Sequence, residues 1–260
     1  MHLTCAISAR HIAGMPVYTV APRTGAVAHH SIYLHGGAYT YEISRPHWRL
    51  IRNVALRTPA IVEVPIYTLA PRATAAVTVP AITDLLVGLI DGAGDEPVTL
   101  IGDSAGGGLA LAAVEALRDR GGAQPDRIVL ISPWLDVTME AAQQRALETL
   151  HRPLRIAGLT ESGRLYAGEL ELHDPRVSPL FGDLHGLAPL TVFSGTADIV
   201  NVDSAALRDR ASAAGVDVEY IEGPGLPHVY PLMPIPEGRL ARAHIVQRLR
   251  ATVSNRVVPV

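Results

Sequence analysis

Short apolar runs recur along this chain, at Val17–Val20, Ser31–His35, Ile61–Val64, Val98–Ile101, Arg127–Ile131, Leu190–Ser194 and Val216–Ile221. Several are continuous rather than alternating. A strand that is apolar at successive positions is covered on both faces, as in a parallel sheet lying between layers of helices. Helical patterns fill the gaps, at about 46–57, 78–92, 106–120, 201–214 and 237–253. The first opens on Arg45-Pro46, where a helix tolerates proline. The last carries Leu240, Ile245, Val246 and Leu249 along one face, an amphipathic closing helix. Strand–helix alternation over the whole length predicts an α/β fold with a doubly wound, mostly parallel central sheet. The rhythm breaks at about 135–185, where strand signals are few. That stretch predicts a small helical, cap-like insertion between the fifth and sixth of these strands.

The chain has 260 residues, 48% of them hydrophobic and 18% charged, enough to bury a large core as one domain over 1–260. Lys and Arg (22) nearly balance Asp and Glu (25), with no basic stripe, so a nucleic-acid partner is not expected. A lone cysteine, Cys5 in the apolar run Leu3–Ile7, forms no intrachain disulfide or Cys-based metal site and reads as a buried hydrophobe. The N-terminus lacks a basic region followed by a sustained apolar stretch, and apolar windows break before the ~20 residues a bilayer span needs. The expectation is a cytoplasmic protein without a membrane segment. Peripheral attachment, and a homodimer through the closing helix or an edge strand, stay open.

Chemistry concentrates at the fourth run. Gly102-Asp103-Ser104-Ala105-Gly106 fits G-x-S-x-G between a strand and a helix. Glycines two residues either side of the serine relieve crowding where the chain turns sharply. The serine is then held strained with its Oγ exposed, and the Ala105 N–H points outward at a helix start. His35-Gly36-Gly37-Ala38 follows the second run, where glycines leave backbone N–H groups uncovered; Gly36 and Gly37 are the expected partners of Ala105 in an oxyanion hole. A serine nucleophile needs a base, and the base needs an orienting carboxylate, in the chain order Ser, acid, His for this strand–helix corner. Asp198 lies in the loop after the sixth run and is favoured. Asp203, the rival, falls in the first turn of the next helix, where an acid ordinarily balances the dipole. His228 stands at the end of the rigid Gly223-Pro-Gly-Leu-Pro loop after the seventh run. His244 lies among arginines on the closing helix. His47 and the remaining histidines have no matching context, and their scatter shows no metal-binding spacing.

Together these stretches resemble the hormone-sensitive-lipase-like group of α/β-hydrolase esterases. The match includes His35-Gly36-Gly37-Ala38-Tyr39, Tyr67-Thr-Leu-Ala-Pro71, Gly102 to Gly107, Ser132-Pro-Trp-Leu-Asp136 and Asp174 to Leu180, with the Asp198 and His228 loops, from about residue 30 onward. The resemblance implies the α/β-hydrolase fold and serine hydrolysis of small-molecule carboxylic esters of short to medium acyl chain, without metal or organic cofactor. It implies Ser104 as nucleophile, Asp198 as orienting acid and His228 as base, with Gly36, Gly37 and Ala105 as oxyanion donors. Ala38, Tyr39 and Trp134 are the expected pocket residues. Amidase, formamidase or acyltransferase chemistry would use the same triad, and a non-catalytic small-molecule receptor is the remaining alternative. Three departures stand out. Ala38 replaces a third glycine and reshapes the acyl pocket. Arg72 follows Leu-Ala-Pro where the group has an acid. Only about 34 residues precede His35, which implies a shortened N-terminal cap and a more open site.

Overall fold

The computed structural model describes residues 4–25, 27–150 and 154–256. The chain runs β1 (Cys5–Ile12), β2 (Met15–Pro22), β3 (His29–Leu34), α1 (Arg45–Arg57), β4 (Ala60–Pro65), α2 (Ala75–Ala93), β5 (Val98–Asp103), α3 (Ala105–Asp119), β6 (Arg127–Ile131), α4 (Ala142–Leu150), α5 (Ile156–Ala167), β7 (Leu190–Gly195), α6 (Asn201–Ala213), β8 (Val218–Gly223) and α7 (Pro236–Arg256). The strands form one sheet in the order β1-β2-β4-β3-β5-β6-β7-β8. β1 and β2 join antiparallel; every pairing from β4 to β8 is parallel.

Pleating sorts the continuous apolar runs into two cores. Ile32, Leu34, Leu100, Leu130 and Val192 face α2, α3 and α6. Tyr33, Ile101, Val129, Ile131 and Phe193 face α1 and α7. By length and composition alone, α2 could cross a membrane. Here Val79, Ile82, Leu85 and Leu86 are buried in the core, where α2 packs on α3.

Two details depart from the sequence reading. β1 has no counterpart there, because Cys5 is its only fully buried residue. It is an edge strand whose outer residues (Ser8, Arg10, His11) need no apolar pattern. Its turn to β2 is a two-residue hairpin loop, Ala13-Gly14, with positive φ at both positions (49° and 81°). That geometry usually selects Asn-Gly, so alanine hides it. On α7 the buried stripe is Ala241, Ile245 and Leu249 with Val246, whereas Leu240 is 67% exposed.

The chain builds β3 and β4 to one side, then returns to place β5 on the other side of β3. A crevice opens at the carboxyl ends of β3 and β5, the usual position for a ligand in such sheets. Both glycine-bearing corners lie there. A Cβ at Gly106 would come within 2.1 Å of the Leu34 carbonyl oxygen, and one at Gly102 within 2.4 Å of the Gly106 oxygen. These two glycines let α3 start directly against β3. Gly106→Ala is therefore expected to destabilise the fold by about 2 kcal/mol or more, since backbone rather than a flexible side chain must give way. Thermal unfolding with far-UV circular dichroism checks this.

Candidate active site

Ser104 sits at the tip of the β5–α3 corner with φ 51° and ψ −122°. This left-handed conformation is disfavoured for any residue with a Cβ and persists because its surroundings over-determine it. The Ser104 N–H donates to the Ile131 carbonyl at 2.9 Å, and the Ser104 carbonyl accepts from Gly107, Gly108 and Trp134 N–H groups at 2.9, 3.1 and 3.0 Å. The side chain projects into a cavity of about 390 Å³, walled by Gly37, Ala38 and Tyr41 on one side and by Leu154 to Ser162 on the other. The second wall belongs to α5 and the residue pair before it. The helical insertion foreseen between β6 and β7 thus covers the crevice as a small cap.

His228 Nε2 lies 2.9 Å from Ser104 Oγ, and His228 Nδ1 lies 2.8 Å from Asp198 Oδ2. The carboxylate is buried. Its other oxygen, Oδ1, accepts the Val200 N–H at 3.1 Å, which fixes the plane it presents to the imidazole. Two loops must meet for this contact. They can because Gly195 has no side chain: a Cβ there would strike the Leu226 carbonyl at 2.1 Å. The Ala197 N–H donates to that same carbonyl at 3.1 Å, and the Val229 N–H donates to Ser132 Oγ at 3.0 Å. Burial lowers the pKa of His228, but the charge of Asp198 and its hydrogen bond outweigh this, and the net shift is upward from 6.5. The arrangement can take a proton from Ser104 and stabilise the resulting imidazolium.

Asp203 does not join this group. It lies buried in the first turn of α6, where Oδ2 accepts the Leu135 and Asp136 N–H groups at 2.9 and 3.1 Å and Oδ1 accepts from Gln144 at 3.2 Å. Its work is to tie α6 to the start of the cap rather than to balance a dipole in solvent. Burial pushes its pKa up to about 8 against those two backbone donors. His244 bonds Glu219 Oε1 at 3.0 Å, away from the cavity.

The oxyanion expectation needs one correction. The Gly36 N–H donates to Asp103 Oδ1 at 3.1 Å and is not free for a substrate. Gly36 must be glycine for another reason: a Cβ there would lie 2.4 Å from Asp103 Oδ2 and 2.9 Å from Ser104 Cβ. The N–H groups of Gly37, Ala38 and Ala105 make no hydrogen bond within the described residues. Gly37 and Ala38 wall the cavity. Both have positive φ, 122° and 50°, so the loop turns its backbone toward the site.

Tyr39 and Trp134, expected in the pocket, are each 1% exposed and absent from its walls. Tyr39 stacks on Tyr166 of α5 at 3.6 Å, and its ring lies 5.6 Å from that of Trp134. The two rings anchor the cap to the sheet. Trp134 reaches the site only through its backbone N–H on Ser104.

A cluster that sequence reasoning missed lies directly behind Ser104. Asp103 is buried and accepts from Tyr33 Oη at 2.5 Å as well as from Gly36, and its Oδ2 is 3.3 Å from His47 Nε2. The Ser44 N–H donates to His47 Nδ1 at 2.9 Å as part of the capping box of α1, so Nε2 carries the proton offered to Asp103. Burial alone would raise the Asp103 pKa, but His47, Tyr33 and Gly36 together bring it below 3.8. The only available signal was that Asp103 occupies the variable position beside the serine. His47 looked like an ordinary helix residue.

Residues 31–232 match the family described by the alpha/beta hydrolase fold. That span holds Ser104, Asp198 and His228 together. The chain belongs to the hormone-sensitive-lipase-like esterases of the α/β-hydrolase fold. It is 35% identical over 215 residues to an acetyl-hydrolase of Streptomyces hygroscopicus, covering 81% of this chain and 71% of that protein. It is 34% identical over 237 residues to a triacylglycerol lipase of Mycobacterium tuberculosis, covering 91% of this chain but 49% of that protein. A solved esterase from the bacterial hormone-sensitive lipase family superposes with a TM-score of 0.87 at 31% identity, covering 96% of this chain and 85% of that one. In this esterase the antiparallel β1–β2 hairpin lies outside the matched span.

Proposed function

We propose that this esterase cleaves carboxylic esters of short to medium acyl chain through an acyl-enzyme. Ser104 Oγ attacks the ester carbonyl while His228 takes its proton. Asp198 holds the imidazole in the required tautomer. The Gly37, Ala38 and Ala105 N–H groups receive the oxyanion. His228 then protonates the leaving alcohol, and water repeats the sequence on the acyl-serine. The observation that carries this reading is the unbroken hydrogen-bond chain from Asp198 through His228 to Ser104 at the wall of an open cavity. Its volume, about 390 Å³, is at the small end for small-molecule sites and favours short acyl groups over long ones. The name of the Streptomyces acetyl-hydrolase is in keeping with that size.

The test is turnover of p-nitrophenyl esters from acetate to palmitate. We expect hydrolysis of the short and medium esters and poor hydrolysis of palmitate. Absence of turnover on every ester by folded protein would sink the proposal.

A pH profile adds a second check. His228 acts as base only when neutral, and its pKa is raised above 6.5. The value of kcat/KM is therefore expected to fall as the pH drops through a midpoint above 6.5. An acid limb centred below 6.5 would contradict the pairing with Asp198.

A further inference from the structure

The acidic and basic side chains among the residues lining the cavity are Asp103, His47, His228 and Arg155. Three of them are already committed. Asp103 takes hydrogen bonds from Tyr33 and Gly36 and pairs with His47; His228 bridges Asp198 and Ser104. Arg155 is different. Among the described residues its guanidinium has no hydrogen-bond or ion-pair partner. The carboxylate of Glu148, close by in the chain, instead accepts the Ile156 N–H at 2.7 Å. Arg155 is the N-cap residue of α5. One turn on, Gly158 also walls the cavity, and a Cβ there would meet nothing within 4 Å. Arg155, with its guanidinium unpaired among the described residues, thus lines the same cavity as Ser104. A guanidinium favours a planar carboxylate, which it can bind through two parallel hydrogen bonds.

We propose that Arg155 selects esters bearing a carboxylate on their acyl or alcohol part, holding that carboxylate while Ser104 attacks the ester carbonyl. This rests on the serine-esterase reading above. Arg155 does not touch the reacting atoms, so its contribution is uniform binding and belongs in KM rather than kcat. It is also exposed to solvent, so the effect weakens as salt rises.

The test compares two matched pairs. p-Nitrophenyl hemiglutarate against p-nitrophenyl valerate places the charge on the acyl side. 4-Acetoxyphenylacetate against 4-ethylphenyl acetate places it on the alcohol side. In at least one pair, Arg155→Gln is expected to lower the anionic-to-neutral ratio of kcat/KM by roughly five- to tenfold, mainly through KM of the anionic ester. Arg155→Lys should retain part of the ratio, and Arg155→Glu should lower it further than Arg155→Gln. Ratios unchanged by both Arg155→Gln and Arg155→Glu in both pairs, with all esters still turned over, would overturn the proposal alone. No turnover of any of the four esters by folded wild-type protein would overturn the esterase reading beneath it, and the proposal with it.

Discussion

Ser104→Ala is expected to lower kcat on p-nitrophenyl butyrate by on the order of a millionfold, the loss typical of a serine nucleophile that works as a unit with its base. The fold should survive. Alanine keeps the Cβ and occupies the same backbone geometry, whose hydrogen bonds to Ile131, Gly107, Gly108 and Trp134 use main-chain atoms only. The lost side-chain hydrogen bond is the one to His228. Ser104→Gly should be equally inactive but should unfold at a higher temperature than Ser104→Ala. At φ 51° glycine relieves strain of about 1 kcal/mol or more that any Cβ imposes. Single-turnover kinetics and calorimetry on the two variants measure both halves. Retained turnover in Ser104→Ala would remove the serine from the mechanism. Equal melting points would show that the corner is not strained.

Asp198→Asn is expected to lower kcat by about 10⁴-fold without lowering the melting temperature much. The Val200 N–H donates to Oδ1, so an asparagine would keep its oxygen there and turn its amide N–H toward His228 Nδ1. The imidazole would then carry its proton on Nε2, facing Ser104, and could not accept another. Asp203→Ala should behave in the opposite way. It leaves the Leu135 and Asp136 N–H groups and the Gln144 amide without their acceptor, at a cost of about 2 kcal/mol, while kcat stays within about tenfold. The two variants separate a carboxylate that orients a base from one that holds a cap. If Asp203→Ala proved the inactive one and Asp198→Asn the active one, the proposed roles would have to be exchanged.

The residues a sequence reader can place are those whose constraint is local. The Ser104 corner needs small neighbours within two residues on either side, and Gly102 and Gly106 announce it. The parallel sheet is legible because several of its strands are apolar over consecutive residues. The choice of Asp198 over Asp203 rested on loop against helix, and the structure puts the first beside His228 and the second in α6. What escaped was decided at a distance. β1 is an exposed edge strand and carries no pattern. Tyr39 and Trp134 resemble pocket rings by position, but the cap descends on them and Tyr166 closes the stack.

By itself, then, the sequence determined the order of strands and helices from β2 onward, the serine corner and the loops that carry Asp198 and His228, because backbone sterics and burial periodicity act over a few neighbouring residues. Only the tertiary structure decided which groups remain available in the site. The Gly36 N–H goes to a carboxylate 67 residues away in the chain. His47 stands behind that carboxylate, and Arg155 stands on the cavity wall without a partner among the described residues. A hydrogen-bond donor is free or spent according to what packing brings within about 3 Å of it, and that is set by segments the chain keeps far apart.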